Sequence, residues 1–187
     1  MEREEIQKCV EVIQNGGVIL YPTDTIWGLG CDPNNEKAIQ KINQIKNRPS
    51  HKSYVMLIAE ERNLNTYVPE VADVCYDLID FSDKPTTIIY DNAKNVSPLI
   101  TAEDGSLGIR IAQDSFCQKL CQRLRGGVVS TSANLSGEPS PKSFSEISDQ
   151  IKESVDYIVN LRQEEKMTTP STIIKVGSKG EVKIIRK

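Results

Sequence analysis

Histidine is nearly absent from this chain: His51 is the one copy among 187 residues. A Ser-His-Asp triad would have to use it, inside a basic run with no orienting partner in view, so triad chemistry is set aside. The nucleophile-elbow frame G-x-S-x-G is missing, as is the phosphate-binding loop G-x-x-x-x-G-K-[ST]. Gly28-Leu29-Gly30 does not extend to G-x-G-x-x-G. The five cysteines contain no C-x-x-C pair. Cys117 and Cys121 are spaced like half of a metal site, but a single His leaves few partners, so all five read as buried, reduced thiols. The carboxylates show no metal-ligand spacing, so no metal is expected from the protein itself. Aromatic residues make up only 5% of the chain, and Trp27 is the lone tryptophan. No apolar run approaches the roughly 18 residues of a membrane span, so no membrane partner is expected. The opening Met1-Glu2-Arg3-Glu4-Glu5 lacks the basic and apolar regions of a signal peptide, which points to the cytoplasm. Positive charge is not in excess either: the net charge is −3, so nucleic-acid binding driven by bulk charge is not expected.

What remains is an ordinary globular composition, 38% hydrophobic and 26% charged. The length suits one domain spanning residues 1–187. Helical spacing predicts helices over 3–15, from a cap at Asn34 or Asn35 to about Asn47, from near Pro69 through Ile79, over 115–125 and over 145–155. Strands are expected at 18–21, 54–59, 86–90, 107–112, 128–131 and 157–161. A hairpin is expected from 171–176 and 182–186 around Gly177-Ser178-Lys179-Gly180. Interleaved strands and helices plus a hairpin give an α/β class with a mixed sheet, the helices covering one or both faces. The order helix, Gly-Gly, apolar strand, hydroxyl-rich loop occurs at 6–25 and again at 117–136. Two strands would thus deliver hydroxyl loops to one place.

Three stretches carry candidate chemistry. Thr23-Asp24-Thr25 leaves a strand that Pro22 terminates, a position where open α/β sheets bind ligands. Asp24 is read as holding this turn through its own backbone. Trp27 reads as a cavity wall, with stacking on a base as the alternative. The basic run Lys46-Asn47-Arg48-Pro49-Ser50-His51-Lys52-Ser53 suits a polyphosphate, or is a solvated helix C-terminus. Ser130-Thr131-Ser132-Ala133-Asn134-Leu135-Ser136-Gly137 offers hydroxyls and close backbone donors, or is a polar turn. A further cation, Arg110, sits inside the apolar strand 107–112, where it needs a partner or a wet cavity.

Together these stretches resemble the YrdC/TsaC family of threonylcarbamoyl-AMP synthases. Pro22-Thr23-Asp24-Thr25-Ile26-Trp27-Gly28-Leu29 is similar to the family's P-T-[DE]-T-x-[YW]-G-L. Lys46-Asn47-Arg48-Pro49 is similar to its K-x-R-P. Ile109-Arg110, the Ser130–Gly137 run, Pro170-Ser171-Thr172-Ile173 and Arg186 follow in the family's order. Ser53 and Leu57 stand where relatives often carry Pro and His, and Pro170 where Glu is common.

The resemblance implies the YrdC-like fold, a twisted mixed sheet with helices around a deep, positively charged cavity, in its short form. It implies a nucleotidyltransferase that joins L-threonine, bicarbonate and ATP into threonylcarbamoyl-AMP and pyrophosphate, with Mg2+ accompanying ATP. A downstream threonylcarbamoyl transferase complex would use the product to modify tRNA. Carried across by position, Thr25, Arg110, Ser130 and Ser171 would contact threonine. Arg48, Lys52, Ser106, Ser132, Ser140 and Arg186 would contact ATP. Lys46, Arg48 and Lys52 would stabilise charge, with no side chain acting as nucleophile or base. The alternative is a non-catalytic YrdC-like module whose basic cavity binds nucleotide, tRNA or double-stranded RNA.

Overall fold

Ile19 and Leu20 are neighbours in sequence, both are fully buried, and they belong to different hydrophobic cores. Only a strand covered on both faces allows this, because successive side chains point to opposite sides. A computed structural model describes residues 1–48 and 54–187 and shows the sheet responsible. Its strands are β1 (Ile19–Tyr21), β2 (Gly28–Cys31), β3 (Val55–Ile58), β4 (Thr86–Tyr90), β5 (Leu107–Ile111), β6 (Val128–Ser132), β7 (Tyr157–Ile158), β8 (Thr172–Val176) and β9 (Val182–Arg186). The described residues give one nine-stranded sheet in the order β7-β1-β2-β6-β3-β5-β4-β8-β9. The sheet is mixed: β1–β7, β3–β5 and β4–β8 pair in parallel and the other neighbours antiparallel.

Helix α1 (Glu2–Gln14) forms because Ile6, Cys9, Val10 and Ile13 share one buried face. It ends where Gly16 takes φ 81°. Helix α5 (Ser115–Leu124) is capped by Asp114, which accepts the Cys117 N–H at 3.0 Å. These two helices cover Ile19, Tyr21, Leu57 and Val128 on one face of the sheet. Helix α2 (Glu36–Ile45) is capped by Asn35, whose Oδ1 accepts the Ala38 N–H at 3.0 Å. It covers the opposite face, with Leu20, Leu29, Met56 and Val129. Both faces are therefore covered, but not over their whole length.

The register shows where cover is missing. Paired residues share a face, and one row runs across Arg110, Thr87, Ile173 and Arg186 on β5, β4, β8 and β9. A second row carries Ser130, Val55 and Gly108. Leu57, paired with Arg110, lies on the same face but under α1 and α5. Those helices thus cover one half of the face and leave bare the half bearing Arg110 and the serines. At the far edge β9 is exposed at every residue, including Val182, Ile184 and Ile185.

Several elements depart from the sequence expectation. Gly28–Cys31 is an interior strand, where the sequence pattern predicts none. The helix expected from Pro69 begins at Asp73, as α4 (Asp73–Asp80). A short helix α3 (Leu64–Tyr67), preceded by a 3-10 turn at Glu61–Asn63, had no sequence signal. The expected helix over 145–155 divides into a 3-10 turn at Phe144–Glu146 and α6 (Asp149–Ser154). The strand expected over 157–161 pairs only at Tyr157 and Ile158. The C-terminal hairpin, strands β3 to β6 and the five reduced, buried cysteines match expectation.

Glycine in β2 has a packing cause. A Cβ on Gly30 would lie 2.7 Å from Cε1 of the buried Tyr21 ring and 3.0 Å from the Val129 carbonyl oxygen. Gly30→Ala is expected to cost about 1–3 kcal/mol of stability through overpacking, read as a lower denaturation midpoint. Glu5 of α1 fixes β7 by accepting the Tyr157 hydroxyl at 2.7 Å and the Asn160 N–H at 2.8 Å. Burial raises its pKa, but these hydrogen bonds and Lys8 outweigh that and hold it below the usual 4.5. Its contribution is present above that value and is lost as the pH falls through the lowered one. Glu5→Gln is therefore expected to cost about 1–3 kcal/mol at neutral pH. The gap from wild type should narrow progressively below pH 4.5, as measured by urea unfolding across pH.

Candidate functional site

The bare half of the sheet face is the floor of a cleft of about 210 Å³. Its walls come from the loop after β1, the end of β6, the start of β3 and the segment entering β8.

The loop after β1 is shaped by Thr23, whose side chain is buried. Its Oγ1 accepts the N–H groups of Thr25 at 3.1 Å and Ile26 at 3.2 Å, and donates to the Ile26 carbonyl at 2.7 Å. This is the turn-holding role that the sequence had assigned to Asp24. Asp24 instead crosses to β5: Oδ1 accepts Arg110 Nη2 at 2.9 Å and Oδ2 accepts the Gln113 N–H at 3.2 Å. The reason is electrostatic, since a guanidinium rising from a strand interior needs a counter-charge. The Arg110 and Asp24 side chains are each 6% exposed. Arg110 Nη2 also donates to Thr25 Oγ1 at 3.2 Å, and that hydroxyl lies 3.0 Å from Thr23 Oγ1. Trp27 forms a wall, fully buried, with its ring 5.0 Å from that of Phe144 and inclined at 51°.

The basic run enters from α2. Arg48 lies 4.3 Å over the Tyr54 ring, and its Nη1 donates to Thr131 Oγ1 at 3.2 Å. Burial lowers the Arg48 pKa and pushes the Tyr54 phenol up to about 12. The Tyr54 hydroxyl donates to Asn43 Oδ1 at 2.6 Å. Lys46 is not part of the cleft wall. Its buried ammonium donates to the carbonyls of Ser132 and of Asn134, the latter at 2.6 Å, and its own carbonyl accepts the Ser136 N–H at 2.7 Å. The expected phosphate cation thus tethers the 132–136 loop, because those carbonyls turn inward and need a donor. Lys52 and His51 lie outside the described residues, as does Ser53.

At the opposite wall, Ser171 Oγ lies 2.9 Å from Thr87 Oγ1. Arg186 donates from Nε and Nη2 to the Ser171 carbonyl at 3.1 and 2.8 Å. Burial, and then the charge of Arg110, lowers the Arg186 pKa.

Of the residues expected at a site, Thr25, Arg48, Arg110, Ser130, Ser132, Ser140, Ser171 and Arg186 all line this cleft. Ser106 does not. It closes a tight turn before β5, where its N–H donates to Asp104 Oδ1 at 2.9 Å and its carbonyl accepts from Ala102 at 2.8 Å. Leu57, which stands where the family resemblance leads one to expect His, is fully buried, and its side chain packs among apolar neighbours with no polar atom to offer a ligand. Tyr54, Thr87 and Thr131 had no role assigned from sequence. Thr131 stood within a quoted motif and Tyr54 followed the basic run, whereas Thr87 meets Ser171 from 84 residues away with no local signal.

No carboxylate lines the cleft among the described residues, whereas three guanidiniums and many hydroxyls do. Such a site favours anions carrying several oxygens, and its fixed donors can stabilise charge that develops on them.

Comparison with known proteins gives the same direction. The Threonylcarbamoyl-AMP synthase of Photobacterium profundum is 34% identical over 160 residues, covering 83% of this chain and 86% of the relative. That of Idiomarina loihiensis is 35% identical over 147 residues, covering 77% and 79%. Among solved structures, E. coli YciO matches with a TM-score of 0.83 at 25% identity, over 100% of this chain and 90% of that one. P. abyssi Sua5 complexed with L-threonine matches with a TM-score of 0.83 at 25% identity. This chain covers only 52% of that protein, about half its length, with 94% of its own residues. The profile of the Sua5/YciO/YrdC family, described as "Telomere recombination", matches residues 11–187. The sheet, the order of its motifs and this match together show that the chain belongs to the Sua5/YciO/YrdC family.

Proposed function

We propose that this chain is a threonylcarbamoyl-AMP synthase, a nucleotidyltransferase forming threonylcarbamoyl-AMP and pyrophosphate from L-threonine, bicarbonate and ATP. The observation that carries the reading is the convergence of Arg48, Arg110 and Arg186 on one hydroxyl-lined cleft, in a chain whose net charge is −3. The names of the relatives support it, as does the threonine held by P. abyssi Sua5.

The chemistry needs no side-chain nucleophile. The amine of threonine condenses with bicarbonate, losing water, to give a carbamate. A carbamate oxygen attacks the α-phosphorus of ATP, the bond to the β-phosphate oxygen breaks, and pyrophosphate leaves with that electron pair. The protein aligns the two reactants and stabilises charge on the phosphates. Arg110 takes the threonine carboxylate, with Thr25, Ser130 and Ser171 around the rest of the molecule. Arg48, Ser132, Ser140 and Arg186 face the nucleotide, and the family resemblance assigns Lys52 to the phosphates as well. Mg2+ entering with ATP would supply further positive charge against the phosphates. The adenylate passes to a threonylcarbamoyl transferase complex, and RNA contact would use the same basic cleft.

Pyrophosphate release from ATP is the test. It is expected only when L-threonine and bicarbonate are both present, and release independent of either refutes the assignment. Arg48→Ala, which removes a charge-assisted phosphate contact, is expected to lower kcat/KM for ATP by about 10- to 100-fold. Thr25→Val is expected to raise KM for threonine about tenfold. Full activity in both variants would refute the residue assignments even if the reaction stands.

A further inference from the structure

Asp24 does not line the cleft, yet it governs a side chain that does. Arg110 Nη2 is held by Asp24 Oδ1 at 2.9 Å and by Thr25 Oγ1 at 3.2 Å. Asp24 is fixed in turn, because Oδ2 accepts the Gln113 N–H at 3.2 Å just beyond β5. One end of the guanidinium is thus immobilised from behind. Its Nε is buried with no hydrogen-bond partner among the described residues. A buried donor without a partner is costly, so it marks a place where an acceptor is to arrive. Thr25 belongs to the same arrangement: by accepting from Arg110 it sets its hydroxyl toward Thr23, whose proton goes to the Ile26 carbonyl.

Resting on the threonine-binding reading above, we infer that Asp24 is a positioning residue. It holds Arg110 in the one orientation that receives the carboxylate of the amino-acid substrate, and it confers the preference for a carboxylate at that point. A guanidinium on a long side chain samples several rotamers unless two or more bonds restrict it. Asp24 supplies that restriction without touching the ligand. An amide in its place cannot accept from both Arg110 and Gln113, since one of its two atoms is a donor.

The test is calorimetric titration of L-threonine, L-threoninol (in which CH2OH replaces the carboxylate) and ATP into wild type, Asp24→Asn, Arg110→Gln and the double variant. In Asp24→Asn the threonine Kd is expected to rise about tenfold or more, the size of one lost charge-assisted hydrogen bond. The ATP Kd should stay within about twofold, and the preference for threonine over threoninol should shrink. In the Arg110→Gln background the same change should alter the threonine Kd less than about twofold, because its effect passes through Arg110. A wild-type threonine Kd in Asp24→Asn overturns the inference. Equal weakening of threonine and ATP, or additive effects in the double variant, overturns it too, since a general loss of structure behaves so. If Asp24→Asn does not fold, Asp24→Glu keeps the charge but displaces the guanidinium. It should lose the preference for threonine over threoninol, and retention overturns the inference. Absence of threonine binding by wild type overturns the functional reading itself, a result distinct from binding that Asp24 does not influence.

Discussion

A guanidinium emerging from the middle of a sheet cannot remain there without compensation, and much of this structure answers that one demand. Arg110 draws Asp24 across the face of the sheet. Asp24 brings with it the loop that follows β1, which must therefore fold back instead of running on to solvent. Thr23 stabilises the fold-back by satisfying two N–H groups and one carbonyl. Once that loop is in place, β2 can start at Gly28 and pair with the end of β6. The cleft is the space left between these pieces.

Charge is distributed to the same end. An acidic chain does not attract polyanions over its whole surface, yet it can concentrate cations where a ligand must be held. Here the cations are spaced around the wall by three different parts of the chain, and each leans on a neutral group. Arg48 lies over a tyrosine ring, Arg110 reaches a threonine hydroxyl and Arg186 grips a backbone carbonyl. Lys46, in the same basic run as Arg48, is spent on inward-turned carbonyls, so neighbouring cations serve different ends.

Much of this was legible in the sequence, and the limits have physical causes. Long periodic stretches such as α1, α2 and α5 were plain, because burial repeats at helical spacing. The hydroxyl runs and Arg110 were identifiable since such residue types are unusual beside apolar strands. Gly28–Cys31 was hidden because its glycines answer to partners in other parts of the chain: Gly30 to the Tyr21 ring, Gly28 to Ser130 and Thr131 of β6. The role of Asp24 was misread for a similar reason: its partner is 86 residues distant, whereas the turn it occupies is local. Thr87 and the interior duty of Lys46 are also products of register and loop closure, which a linear pattern does not encode. Ser106 was assigned to the nucleotide only through the family resemblance, and it sits instead in the turn before β5, outside the cleft lining.

The outermost strand carries a different kind of consequence. β9 is solvated on both sides and bonded along only one edge, so it belongs to the part of the fold that opens most readily. Arg186, one of the three cleft arginines, rides on that strand, whereas Arg110 stands on an interior one. The cleft is therefore assembled from pieces of unequal permanence. The wall bearing Arg110 is as durable as the interior of the sheet, and the wall bearing Arg186 is only as durable as a hairpin edge. Separation of β9 would withdraw Arg186 from the cleft while leaving in place both buried cores, to which that strand contributes no residue.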